Sequence, residues 1–199
     1  VGRPSALNWV EYNQSTGGYN VKVERDERSA VNRGSRKLFR FQVQGPNALK
    51  VIEKVTGQPA PDIRFFNMGA MSIGGQEVRA LRHGMVGQPG WELFGPWAKA
   101  ETVRSAILEA GREYGIRQVG ARTYPTSCLE SGWIPSPLPA VYTGDKLQPY
   151  RQWLTSKSYD AMASLGGSFY SEDIRDYYLT PYDLGYGPFV KFDHDFVGR

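Results

Sequence analysis

The stretch "LFRFQV" at positions 38–43 constrains the fold most. Phe39, Phe41 and Val43 alternate with Arg40, Gln42 and Gln44, a period of two that makes a strand with one apolar face. The next segment, "GPNALKVIEKVTG", carries a proline near its first turn and a glycine at its end, with Val51, Ile52 and Val55 at helical spacing. "FFNMGAMSI" and "EVRALRHG" flank a double glycine and read as a hairpin, and "GWELFGP" reads as a further short strand. In "AKAETVRSAILEAGREYGI", Val103, Ile107, Ala110 and Tyr114 form one helical stripe, which Gly115 ends. Strand, helix, strands and helix in this order predict an α+β domain with ferredoxin-like strand-helix layers.

On either side of this block the patterns are weaker. The first 35 residues read as polar turns with one strand, "YNVKVE", and a solvated charged loop, "ERDERSAVNRGSRK". From Trp133 the character changes, because "WIPSPLPAVYTG" holds three prolines and must run as an extended loop. The expected organisation is therefore an α+β domain over 1–132, then a proline-rich and aromatic segment over 133–199. The chain starts on Val1 without a methionine and stops at "FDHDFVGR", so it reads as the central piece of a longer protein that completes the site.

Composition narrows the chemistry. A single cysteine, Cys128, excludes an internal disulfide and a cysteine-rich zinc site, and two histidines argue against a His-based metal centre. No carboxylate cluster suits magnesium or calcium, and no nucleophile motif or phosphate loop stands in its required context. The formal charge of +4 is mild, and the strands lack the aromatic pattern of RNA-binding sheets, so nucleic acid is not the expected partner. No apolar run suits a membrane helix and no signal peptide is present, so the default location is the cytoplasm. A metal-free enzyme or a binding module remains.

Three positions can carry such chemistry. In "RHGMVGQPGWELFGPW", Glu92 sits between Trp91 and Leu93 and points away from both. It is either a surface carboxylate or an acceptor of two parallel N–H bonds from a 2-amino-4-oxo heterocycle, which the glycines would let approach closely. Tyr124 precedes Pro125, which biases it into a loop. There it is either a packed aromatic or a phenol that protonates an oxygen leaving group. Trp133 is a core residue or a ring-stacking one. Arg122 and Glu130 are expected to pair or to cap a helix end, and Arg3 is a surface arginine or a partner for a carboxylate.

"QGPNA", "RHGMVGQPGWELFGP", "GARTYPTSCLESG" and "TPYDLGYGPFVKFDHDFVGR" occur in an order that resembles the folate-binding aminomethyltransferase superfamily, the fold of the glycine-cleavage T-protein. The match runs across 38–199. Where amine-processing members carry an R-D-S-L-R-L-E-A-G type of segment, this chain has "RTYPTSCLESGWIPSPLPAVYTG", and there it resembles tetrahydrofolate-dependent aryl O-demethylases. Those enzymes act on vanillate, 3-O-methylgallate or syringate.

The resemblance implies that Glu92 holds the pterin, with Gln44 (or its neighbour Gln42) and Trp133 in the same pocket. It makes Tyr124 the catalytic phenol, puts Arg3 near substrate and folate, and has Val1 line the pocket. It implies tetrahydrofolate as methyl acceptor, no metal, a methoxyaromatic acid as substrate, and the absence here of an amino-terminal part and a carboxy-terminal barrel. The rivals are a folate transferase with a sulfonium or aminomethyl donor, and a folate-binding module without catalysis. Oligomeric state is not legible.

Overall fold

The computed structural model describes residues 4–26, 36–120 and 122–196. Two compact units emerge, one of Arg25–Trp133 and one that joins Val1–Glu24 to Ile134–Arg199. The start of the chain thus groups with the proline-rich segment, whereas the sequence pattern had assigned it to the sheet.

In the Arg25–Trp133 unit, the alternating stretch forms β1 (Leu38–Gln44) and the helical pattern after it forms α2 (Ala48–Thr56). An earlier helix, α1 (Pro4–Thr16), belongs to the other unit. Gly57 closes α2 in the left-handed conformation (φ 66°) and donates its N–H to the Glu53 carbonyl. The hairpin is β2 (Met68–Ile73) and β3 (Gln76–Arg82), and "GWELFGP" is β4 (Gly90–Pro96). Helix α3 (Ala100–Gly111) continues into a 3₁₀ turn, and left-handed Gly115 ends it as the sequence predicts.

The four strands form one antiparallel sheet in the order β1-β4-β3-β2. Helices α2 and α3 pack on one face. Phe39, Val43, Ile52, Ile73, Val78, Trp91, Leu93 and Val103 make the core between the layers. Together these elements confirm an α+β domain.

Helix α4 (Thr123–Glu130) departs from expectation, because the Tyr124–Pro125 step was expected to be a loop. Pro125 falls in the first turn, where its missing N–H has no intrahelical partner to lose, so the helix tolerates it. Arg122 and Glu130 stand at opposite ends of α4, roughly 12 Å apart along the axis at 1.5 Å per residue. Among the described residues no ion pair joins them, and Arg122 makes no side-chain cap.

In the other unit, α1 replaces the polar turns expected near the start, and residues 19–24 form no strand. Tyr19 and Val21 are exposed there, no partner ladder pairs the alternating segment, and Val21 N–H turns back to the Tyr19 carbonyl at 2.9 Å. Helix α1 is held by aromatic contacts to α5 (Gln148–Trp153). Trp9 meets Tyr150 edge-on at 5.0 Å, and Tyr12 meets Tyr150 and Trp153 at 5.2 and 5.7 Å. Asn8 donates to the buried Asp160 carboxylate at 2.9 Å, on the short helix α6 (Tyr159–Met162).

Burial pushes the Tyr150 phenol up to about 12, and the charges of Asp160 and Tyr142 add to the shift. The unfolded phenol ionises near pH 10, so the unfolded chain loses this proton first. Stability from neutral Tyr150 is therefore complete below about pH 10 and falls as the pH rises toward 12. Denaturant midpoints of the full-length protein measured from pH 8 to 12 are expected to show this decline, and Tyr150→Phe is expected to flatten it.

Candidate functional site

The sheet face turned away from α2 and α3 carries the polar residues. Register places Gln42 and Leu81 directly beside Glu92, and Arg40 and Arg79 beside Phe94. Trp91 and Leu93 are both 0% exposed on the core side, so Glu92 between them emerges on the polar side.

The Glu92 carboxylate is only 14% exposed and has a cationic or imidazole group on each side. Arg40 Nη1 lies 3.6 Å from Oε2, and His83 Nε2 lies 3.9 Å from Oε1. Both separations are longer than a hydrogen bond, and among the described residues no group bonds either oxygen. Gln42 Nε2 donates to the His83 carbonyl at 3.0 Å, which commits that amide to the end of β3. Gln44, two residues along the same face, keeps a buried Oε1 without a partner. The exposed rings of Phe65 and Phe66 stand 6.1 and 5.0 Å from the His83 ring and meet each other edge-on at 80°, an apolar cluster beside the imidazole.

The glycine-rich turn has its own backbone reasons. Gln88 N–H bonds the Met85 carbonyl at 2.9 Å, and the two residues between, Val86 and Gly87, are left-handed (φ 55° and 68°). Two consecutive positive φ values are the signature of a type I′ turn, which suits glycine and strains valine. A Cβ on Gly84 would collide with the Gln88 carbonyl, and one on Gly90 would come within 2.7 Å of the His83 carbonyl and 2.9 Å of that of Val43. These contacts seat the turn between β3 and β4 and so fix where Glu92 begins its strand.

Tyr124 and Trp133 approach each other at 6.2 Å with their planes at 62°. Trp133 N–H bonds the Cys128 carbonyl at 2.9 Å, so the chain folds back on α4 to bring the indole beside the phenol. The Tyr124 phenol is raised above its ordinary range, chiefly by burial. The charges of Cys128 and Glu92 raise it further and that of Arg40 lowers it. Tyr124 therefore lies within electrostatic reach of the Glu92–Arg40 pair.

Of the residues singled out by sequence, Glu92, Gln44, Tyr124 and Trp133 fall in this unit, whereas Arg3 and Val1 lie outside the described residues. Arg40 and His83 were missed. The signal for Arg40 was its place in the β1 alternation, two residues before Gln42, which pairs with Glu92. His83 gave none beyond its position at the mouth of the turn. Among the described residues no three His, Cys, Asp or Glu side chains group to hold a metal, and no helix is long and apolar enough to cross a membrane.

Helices on one face of an antiparallel sheet and a flanked carboxylate on the other define a two-layer α+β class of domain. The family model described as GCVT N-terminal domain matches residues 2–136, and the chain belongs to this family. The chain is 50% identical over its full length to syringate O-demethylase from Sphingobium sp., of which it covers 43%. It is 32% identical over 96% of its length to sesamin methylene transferase from Sinomonas sp., covering 41%. It is 30% identical over 83% of its length to an aminomethyltransferase from Caldanaerobacter subterraneus subsp. tengcongensis, covering 35%. The chain thus spans about two-fifths of the length of the first two of these curated relatives.

Gly84→Ala is expected to displace the 84–89 turn, because the added methyl meets backbone and not a flexible side-chain end. Denaturant unfolding should show a loss of about 1–3 kcal/mol, the usual range for overpacking.

Proposed function

We propose that this chain supplies the methyl-acceptor site and the acid of an enzyme that moves a methyl group from a methoxylated aromatic acid to N5 of tetrahydrofolate. The substrate class is vanillate, 3-O-methylgallate or syringate, and the products are a demethylated phenol and 5-methyltetrahydrofolate. The observation that carries this reading is the Glu92 carboxylate, 14% exposed and oriented by its neighbours, with no hydrogen bond to either oxygen. Such a group suits the paired N–H donors of a pterin, which bind a carboxylate in a charge-assisted, two-bond arrangement. The free Gln44 amide oxygen offers a further acceptor, whereas the Gln42 amide is committed to backbone.

When bound, tetrahydrofolate supplies the nucleophilic nitrogen that accepts the methyl. The chain's own residues do the rest. Glu92 orients the acceptor, the exposed Phe65 and Phe66 rings offer it apolar edges beside His83, and Trp133 sets the Tyr124 phenol. As the methyl leaves, the C–O bond breaks and charge develops on the aryl oxygen. Tyr124 donates its proton there, which offsets that charge. The raised phenol suits a donor, because it stays neutral through the pH range in which the substrate's carboxylate is ionised. The 50% identity to a protein named syringate O-demethylase favours an aryl methyl ether as donor. A cytoplasmic location belongs to the same proposal.

The full-length protein with tetrahydrofolate and vanillate or syringate should yield 5-methyltetrahydrofolate, followed by mass. Glu92→Gln should weaken tetrahydrofolate binding by about 10-fold or more, as expected for losing a charge-assisted hydrogen bond. Tyr124→Phe should leave that affinity intact and lower kcat by roughly 100-fold or more, the usual contribution of a positioned acid. Because the folded phenol titrates above its ordinary range, any alkaline loss of wild-type rate should fall above pH 10. A Tyr124→Phe variant at the wild-type rate would overturn the acid assignment, and unaltered binding in Glu92→Gln would overturn the acceptor site.

A further inference from the structure

His83 follows the last residue of β3 and is tied by its backbone to two neighbours. Its N–H donates to the Gly90 carbonyl at 3.2 Å, and its carbonyl accepts from Gln42 Nε2 at 3.0 Å. The Phe66 ring lies 5.0 Å from the imidazole at 34° and covers one side of it. The side chain is 13% exposed, and its buried Nδ1 has no partner. Nε2 faces Glu92 Oε1 at 3.9 Å. Arg40, the other neighbour of the carboxylate, has a side chain 40% exposed. Water screens its pull more strongly than it screens that of a group as buried as His83.

We infer that His83 is a positioning residue for Glu92. Its imidazole, held by the β3–β4 turn and the Phe66 ring, stands 3.9 Å from Oε1 and limits the carboxylate's rotation by contact and dipole, so that both oxygens stay open to the ligand. This rests on the reading of Glu92 as the ligand's acceptor. Imidazole fits the task because it is rigid, and its backbone is fixed on both sides. At 3.9 Å the imidazole takes up no lone pair of Glu92, so the carboxylate keeps about four lone-pair directions for two parallel N–H donors. Arg40, reaching from β1, then balances charge without setting geometry.

The test uses the full-length protein, with tetrahydrofolate titrated by calorimetry and turnover measured with syringate. His83→Phe keeps a ring against Phe66 and removes the imidazole dipole. His83→Gln returns an amide N–H close to the Nε2 position. His83→Phe should raise the tetrahydrofolate Kd by about 5-fold, the scale of coupling between neighbouring polar side chains, and raise KM more than it lowers kcat. His83→Gln should recover most of that loss. In a Glu92→Gln background His83→Phe should have no further effect, the mark of a contact that acts through Glu92. Thermal melts identify any variant that fails to fold. If His83→Phe is such a variant, the His83→Gln affinity decides, with a Kd within about 2-fold of wild type expected because a polar group still faces Glu92. Wild-type affinity in His83→Phe, equal losses in both variants, or a loss that persists without Glu92 overturns the inference. Weakened Glu92→Gln with unaffected His83→Phe overturns this inference alone, whereas wild-type binding in Glu92→Gln overturns the acceptor site and this inference with it.

Discussion

The site depends on one packing constraint, the burial of Trp91 and Leu93 on the helix side of β4. Successive side chains on a strand face opposite ways, so burying these two sends Glu92 to the other face. The strand is interior, with Gln42 paired on one side and Leu81 on the other, so the backbone at Glu92 is held by ladders on both edges. A slip of one residue would drive the carboxylate into an apolar core and expose an indole, a cost no local adjustment relieves. The Glu92 carboxylate therefore stands on a strand paired on both edges, and its direction follows from hydrophobic packing on the opposite face.

Electrostatics then acts on a position already fixed. Glu92 is 14% exposed, and among the described residues no group comes within hydrogen-bond distance of its oxygens. Arg40 and His83 flank it closely enough to offset its charge and too far to saturate its lone pairs. The same charges reach Tyr124 with opposite signs, Arg40 lowering the phenol and Glu92 raising it, while burial sets the net direction. In the proposed reading, a neutral phenol beside a charged acceptor site is what a proton donor to a leaving oxygen requires.

The parts legible in the sequence were those whose partners lie close in the chain or whose pattern is periodic. The β1 alternation, the glycine hairpin and the α3 stripe each declare themselves within a dozen residues, and their layering follows. Helix α1 did not, because Trp9 and Tyr12 pack on Tyr150 and Trp153, more than a hundred residues away. Pro125 hid α4, since a proline in the first turn looks like a stop when the turn is not visible. Glu92 and Tyr124 stood out by chemical type. Arg40 and His83 stayed hidden because they reach Glu92 only across strand pairings that no spacing rule reveals.

The turn at 84–89 shows how backbone and site are linked. Its glycines were candidates for clearance around a ligand, yet the contacts that require them are internal to the protein. Gly84 admits the Gln88 carbonyl, Gly90 admits those of His83 and Val43, and Val86 accepts a left-handed conformation that a β-branched residue rarely adopts. Strain of that kind persists only where surrounding structure enforces it. Here the enforcement comes from β1, through the bond of Gly45 N–H to the Pro89 carbonyl at 3.1 Å and that of Gln42 to His83. The turn thus ties three strands together at the point where His83 and Glu92 meet. In the proposed reading, acceptor binding draws on this rigid corner, while the donor's chemistry falls to Tyr124 on a short, proline-opened helix. That division lets one fold keep its acceptor while the donor changes, in keeping with relatives named for syringate, sesamin and aminomethyl transfer.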